Sequence, residues 1–299
     1  MRRPSGMVGT AAGMLCALLW IVAGFSGAAL ADKTADKSAD ELRRQATQAA
    51  REGKRDDALR LAGEAIAAAP NDAEGYALRA GLYVAADDHR RAIADLDRLL
   101  QIDPNRADAF DQRGSQQFML GNVDASIRDF DRYLQLKPDQ EPWHWKRGIS
   151  YYYAGRYAEG RKQFEGYQTV DDNDVENAVW RCLCMARAGD LASARRDMLK
   201  IKQDPRVPMM QIYALFAGKA TPEDVLAAAR AGSPAADTLN ARLFYAHLYL
   251  GLYYEVAGDA AGALQHLTKA AEEHKIGHYM WNVADVHARR LRPAAAAPH

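Results

Sequence analysis

Three prolines set the frame for this chain. Pro70, Pro104 and Pro138 stand 34 residues apart, and a fixed period of that length restricts a chain to repeat architectures, in which one supersecondary unit stacks on the next. Gly53, Gly121, Gly155 and Gly189 keep the same period, with Asp87 at the missing step. Ala58, Ala92 and Ala194 share a third register, in which Ala125 falls one place early beside Ser126 and Gly160 replaces alanine.

Each unit reads as two helices. The first carries a ring or apolar residue and a small residue four places later, as in Tyr76/Ala80, Phe110/Gly114 and His144/Gly148, with Ala178/Cys182 a weaker instance. The second carries the alanine and then apolar residues at helical spacing. In the second unit these are Ala92, Ile93, Leu96, Leu99 and Leu100, an i, i+3, i+4, i+7 stripe. Ile102-Asp103-Pro104-Asn105 and Leu136-Lys137-Pro138-Asp139 then stop the helix. Small residues let two helices approach closely, and a turn glycine accepts a left-handed backbone. One such pair cannot bury its apolar face alone, so neighbours must stack.

These residues resemble the tetratricopeptide repeat (TPR) family. Segments 73–80, 89–96 and 102–105 match its pattern, and units fall at about 39–72, 73–106, 107–140, 141–174 and 175–201. The resemblance implies an all-α fold, a right-handed α-solenoid of helix pairs. It says little about activity. After residue 201 the register breaks at Pro205 and Pro208. Thr221-Pro222-Glu223-Asp224 reads as a helix start, with threonine at the N-cap, proline at N1 and acids in the first turn. Residues 202–243 are expected to be a degenerate helical pair and linker. A further unit is expected at 244–277, where Gly251, Tyr254, Gly258, Ala263, Leu267 and Ala270 occupy family positions. An amphipathic helix over 278–291 would cap the last apolar face. Residues 292–299 form an Ala/Pro tail expected to be disordered.

The first residues read differently. Arg2 and Arg3 precede an uncharged stretch from Pro4 to Ala31, which ends in Ala29-Leu30-Ala31 before a polar run from Asp32. Charge, apolar stretch and small-residue site come in the order of a secretory signal peptide, with cleavage expected after Ala31. The segment is also long enough to act as an uncleaved anchor. Leu15 before Cys16 is too bulky for a lipoprotein site. Residues 1–31 are therefore a leader or anchor and 32–38 a polar linker. The expected location is the periplasm or the secreted space.

Lys+Arg and Asp+Glu are 39 each. That zero formal charge argues against nucleic acid as a partner. Three cysteines are too few for a disulfide framework. Cys182 and Cys184, two apart on one helix, read as buried thiols. No nucleophile elbow, H-E-x-x-H, phosphate loop or dinucleotide fingerprint is present. His274 and His278 lack a completing ligand set. Asp171-Asp172-Asn173-Asp174 has Asn177 where a calcium loop needs glycine. The chain is read as non-enzymatic, with no cofactor and no metal. An alternative reading puts a metal or catalytic site among His247, His266, His274, His278, His287 and Glu255, Glu272, Glu273.

The resemblance also implies where a partner would sit, because the first helix of each unit lines the concave face in this family. The positions that match are Arg43, Thr47 and Arg51, then Asp111, Ser115, Phe118 and Met119, then Trp145, Ile149, Tyr152 and Tyr153. Such a groove grades from polar to aromatic. The aromatic residues have two readings, as inter-repeat packing or as partly exposed anchors for a partner. Trp143 and Trp145 cannot easily share one packed face. Arg43, Thr47 and Leu78 stand where chaperone-tail binders carry their carboxylate clamp, so that ligand is not implied. The sequence supports an exported scaffold or adaptor for a protein or peptide. A membrane-anchored assembly factor and a homodimer are alternatives.

Overall fold

In the computed structural model the described residues are 38–292. The expected leader over 1–31, nearly all of the linker over 32–38 and nearly all of the tail over 292–299 lie outside them. Among the described residues the chain is all-helical and its helices pair in sequence order. The hairpins are α1 (38–51) with α2 (Arg55–Ala68), α3 (Ala73–Val84) with α4 (His89–Ile102), α5 (Ala107–Met119) with α6 (Val123–Leu136), and α7 (Trp145–Tyr153) with α8 (Tyr157–Tyr167). They continue as α9 (Val175–Ala188) with α10 (Leu191–Arg196), α11 (Met209–Phe216) with α12 (Pro222–Arg230), and α13 (Ala236–Val256) with α14 (Ala260–Thr268). A π-helical segment, Lys269–Glu273, extends α14, and α15 spans Tyr279–Leu291.

The period sets the local geometry. Gly53, Gly121 and Gly155 turn the hairpins at φ +74°, +81° and +74°, and Asp87 takes the same left-handed backbone at φ +55°. The small residues face large ones across each hairpin. A Cβ on Gly148 would come within 2.7 Å of the Phe164 ring, and one on Gly251 within 2.5 Å of Leu267 Cγ. The alanines of the second helices are fully buried at Ala58, Ala92 and Ala194.

A second 34-residue series ties each hairpin internally. Arg79 donates to Asp95 at 2.8 and 2.7 Å. Arg113 donates to Asp129 at 2.9 and 2.6 Å and reaches back to Asp97 at 2.7 Å. Arg147 repeats this with Gln163 and Asp131, and Arg181 with Asp197 and Glu165. Arg113, Arg147 and Arg181 thus each join the second helix of their own unit to that of the unit before, whereas Arg79, with Gly63 at the earlier position, ties only its own hairpin.

Two elements depart from the repeat pattern. α10 is only six residues long. Arg181 takes both the carbonyl and the carboxylate of Asp197, and the chain leaves the helix there. Asp204 then accepts from the backbone N–H of Val175 at the start of α9. The first helix of the last unit begins at Ala236 rather than at 244, because nothing stops a helix between Pro234 and the turn at Gly258. Its extra turns are used: Asn240 donates to the carbonyl of Lys275 and meets His274 at 3.1 Å, fixing the loop that follows the π-helical segment.

α15 does more than cover the last hairpin. It packs on α14 and the π-helical segment, and also on α5, across the concave side of the molecule. It runs alongside α7 in the same direction. Tyr279 at its start is edge-on to Trp145, with centroids 5.3 Å apart, and Arg290 at its end donates to the carbonyl of Tyr153. Arg289 donates to the carbonyl of Met119. Two arginines therefore cap the carbonyl ends of α5 and α7, where positive charge is favoured.

Candidate functional site

The concave face is lined by α1, α3, α5 and α7, and its two halves differ. Over α1 and α3 it is open. Arg43, Thr47, Arg51, Glu74 and Leu78 share one surface depression. Arg43 is oriented by ion pairs to Asp40 and Asp72. The Thr47 hydroxyl donates to the carbonyl of Arg43, which fixes its rotamer.

Over α5 and α7 the face is filled by the protein itself. Phe118, Ile149, Tyr152 and Tyr153 are all buried. Phe118 stacks on Tyr279 at 5.8 Å and meets Tyr153 edge-on at 5.1 Å. Tyr153 Oη lies 2.8 Å from His287 Nδ1, and His287 Nε2 lies 3.2 Å from Glu255. Tyr152 donates to Glu255 at 3.0 Å. Burial, with the Glu255 charge, pushes both phenols well above the usual tyrosine range. These two tyrosines remain hydrogen-bond donors at any physiological pH. Of the two readings the sequence left open, burial matches packing, and the cover is α15. Trp145 is half-buried on this inner side, whereas Trp143 points outward, 49% exposed, against Tyr167.

Between the halves lies a polar junction. Asp111 accepts from Lys146 Nζ at 2.6 Å and contacts His144 Nε2 at 2.9 Å, and the buried Ser115 hydroxyl donates to the carbonyl of Asp111. Burial raises the Asp111 carboxyl, but the His144 contact and the Lys146 charge outweigh it and hold the group below its ordinary value. Burial lowers His144, with Asp111 opposing. Asp111 and Ser115 therefore belong to an internal network and are not free to engage a partner without breaking it.

The residues considered for metal or redox chemistry take structural places. His247 Nδ1 lies 2.8 Å from His266 Nδ1, and the His247 ring stacks on His274 at 5.4 Å. Among the described residues no group of three or more His, Cys, Asp or Glu side chains is arranged to hold a metal ion. Burial lowers all three imidazoles, His247 to about 3, which keeps the stack neutral near pH 7. Asp174 caps α9 by accepting from the N–H of Glu176, and Asp171 accepts from Asn173. Cys182 and Cys184 are buried free thiols, and burial pushes Cys182 up to about 11 and Cys184 higher. Neither is a thiolate at neutral pH.

Residues 78–144 match the family model described as tetratricopeptide repeat. A tetratricopeptide repeat protein from Parabacteroides merdae is 16% identical, with 86% of this chain and 100% of that one covered and a TM-score of 0.57. The MamA protein is 19% identical over 54% of this chain and 87% of its own, with a TM-score of 0.51. No curated protein sequence matches the chain. Residues 78–144 thus carry the tetratricopeptide repeat pattern, and the described residues share the helix-pair fold of tetratricopeptide repeat proteins.

Proposed function

We propose that this protein is an exported, non-enzymatic scaffold that receives a segment of another protein on the open concave strip of α1 and α3. The observation that carries the reading is the contrast along one face. The aromatic half is already covered by α15, while Arg43, Thr47, Arg51 and Leu78 share one depression that no other described segment covers. Leu78 offers apolar contact, and Arg51, beside an Arg43 held in place by Asp40 and Asp72, offers charge to an acidic or carboxylate-bearing segment. Export rests on the order of Arg2-Arg3, the uncharged stretch and Ala29-Leu30-Ala31.

The test uses the full chain expressed in an exporting host. Mass spectrometry of the purified protein should give an N-terminus at Asp32; an intact first segment in the membrane fraction would replace export by anchoring. The chain would then capture partners from the export compartment beside two variants, Arg43→Glu/Leu78→Ala and Arg187→Ala. A partner lost from the first variant and kept by the second supports the open strip. Equal capture by all three moves the site elsewhere, and no specific capture removes the scaffold reading.

A further inference from the structure

A partly open cavity of about 190 Å³ lies away from the open strip, where α9 begins. Trp145, Tyr167, Trp180 and Tyr245 form its aromatic walls, and Asp174 and Glu176 contribute carboxylates. It is assembled from parts distant in sequence: the start of α7, the end of α8, the first turns of α9, the connector before α11, α13, and the loop before α15. The repeat pattern alone does not require it.

Its electrostatics are unbalanced. Among the described residues lining the cavity the only lysine or arginine is Arg206, and it is shared among Asp174 at 2.6 Å, Glu176 at 2.8 Å and Asp204 at 2.6 Å. One guanidinium faces three carboxyl groups. The second Glu176 oxygen accepts from Tyr249 at 2.6 Å, which holds the carboxyl in place. Two further wall residues are unsatisfied. Asn177 and Trp180 are 3% and 2% exposed, and neither Asn177 Oδ1 nor Trp180 Nε1 has a hydrogen-bond partner. A buried acceptor without a donor costs about 1–3 kcal/mol unless something supplies one. Aromatic faces, excess carboxylate and the unused Asn177 carbonyl favour a positively charged N–H donor as guest, while the Trp180 N–H, itself a donor, is left unserved by it.

We propose that this cavity binds an alkylammonium group, which occupies the aromatic walls and donates to Asn177 and the Asp174/Glu176 carboxylates. The cavity has room for the head and a short stem, so the group comes either from a free small amine or from a lysine side chain of a bound protein.

The pH sense follows from the surroundings of Glu176. Burial raises its carboxyl to about 7, and the Tyr249 hydrogen bond and Arg206 oppose that rise. Asp174 is also raised, by burial first. Asp204 stays below its ordinary value because the Arg206 hydrogen bond outweighs burial. Tyr245 and Tyr249 remain protonated, and burial keeps His278 below its usual range. Acidification from pH 8 to 6 therefore removes negative charge from the cavity, chiefly at Glu176, and adds positive charge at His278 only at the acid end.

Isothermal titration calorimetry at matched ionic strength tests the proposal on the full chain. The probes are n-butylammonium chloride, neutral n-butanol, and the peptides acetyl-Ala-Lys-Ala-amide and acetyl-Ala-norleucine-Ala-amide. At pH 8 n-butylammonium or the lysine peptide should saturate, at least about ten-fold more tightly than its neutral counterpart. Glu176→Gln, with an unchanged helical spectrum, should weaken the cation about ten-fold, and the parent but not the variant should weaken between pH 8 and 6. Arg43→Glu should bind the cation as the parent does, which separates this cavity from the open strip. Tighter binding of the lysine peptide than of n-butylammonium assigns the group to a protein partner; the reverse assigns it to a free amine. The proposal is overturned if no cation saturates, if n-butanol binds equally, or if Glu176→Gln leaves the affinity unchanged.

Discussion

Between Ala73 and Ile102 the hairpin touches mainly its neighbours, and its core is small: Tyr76, Ala80, Leu96, Leu99 and Leu100 with few partners. What fixes its geometry is polar, Arg79 and the aspartate sixteen residues later. From Trp145 onward the same hairpin is embedded in one large apolar cluster that runs from Phe118 through Trp180 and Phe216 to Val286. There the units interlock through rings, and α13 and α15 fold back on α9 and α5. The contrast teaches that one repeat can be held in two ways. A unit with only neighbours needs a specific internal tie, whereas a unit inside a closed core can rely on volume.

The comparison can be broken from either side. The largest effect is expected in the closed half. Trp180 is buried against Tyr152, Tyr153 and Phe164, and Trp180→Ala should cost about 3–5 kcal/mol. Amide exchange should rise through α7, α9 and α15 and change little in α1 to α4; uniform loosening would contradict the division. In the open half, Arg79→Leu leaves the largely buried Asp95 carboxylate unmatched and should cost about 2–4 kcal/mol, read by chemical denaturation. Adding Asp95→Leu should recover most of that loss. If it does not, the tie is not what holds the hairpin.

A third effect sharpens the comparison through acid. His247 is held near 3 when folded, so the unfolded chain binds more protons between that value and its ordinary range near 6.5. Stability from this group is present above about pH 6.5 and is lost as pH falls toward 3. Glu176, raised to about 7, works in the opposite sense over much of that window. The difference between parent and His247→Gln isolates the histidine: between pH 7 and 4 the parent should lose up to about 3 kcal/mol relative to the variant. The smallest effect is expected at the turn. Asp87 occupies a left-handed backbone and pairs with Lys275 at 3.2 Å on the surface. In Asp87→Gly the relief of the backbone, the added freedom of the unfolded chain and the loss of an exposed pair should nearly cancel, to within about 0.5 kcal/mol by thermal unfolding.

The hairpins themselves were legible because proline, glycine and alanine recur on a fixed period, and each recurrence has a steric reason. The arginine series at 79, 113, 147 and 181 keeps the same period and was equally readable, but a charged residue on a helix reads as solvent-facing until its partner on the next helix is known. The groove residues were legible as positions and not as surfaces. Nothing local to Phe118 or Tyr153 reveals that residues 279–291, well over a hundred positions away, lie on them. The cavity at Glu176 was illegible for the same reason, since its walls come from six separate segments. The first helix of the last unit extends eight residues upstream of 244, because the repeat register marks where a unit must pack, and not how far its helix extends beyond that.

The docking of α15 on α5 and α7 has a consequence for the chain while it is being made. Translation proceeds from the N-terminus at about 5–20 residues per second. Roughly ten seconds therefore separate the appearance of Tyr153 from that of Arg290 on the same estimate. During that interval Phe118, Ile149 and Tyr153 form a bare aromatic strip on an otherwise finished set of hairpins. A growing chain of this protein is a client for holdase chaperones until its last helix emerges, and truncation by a late stop codon would leave it one permanently.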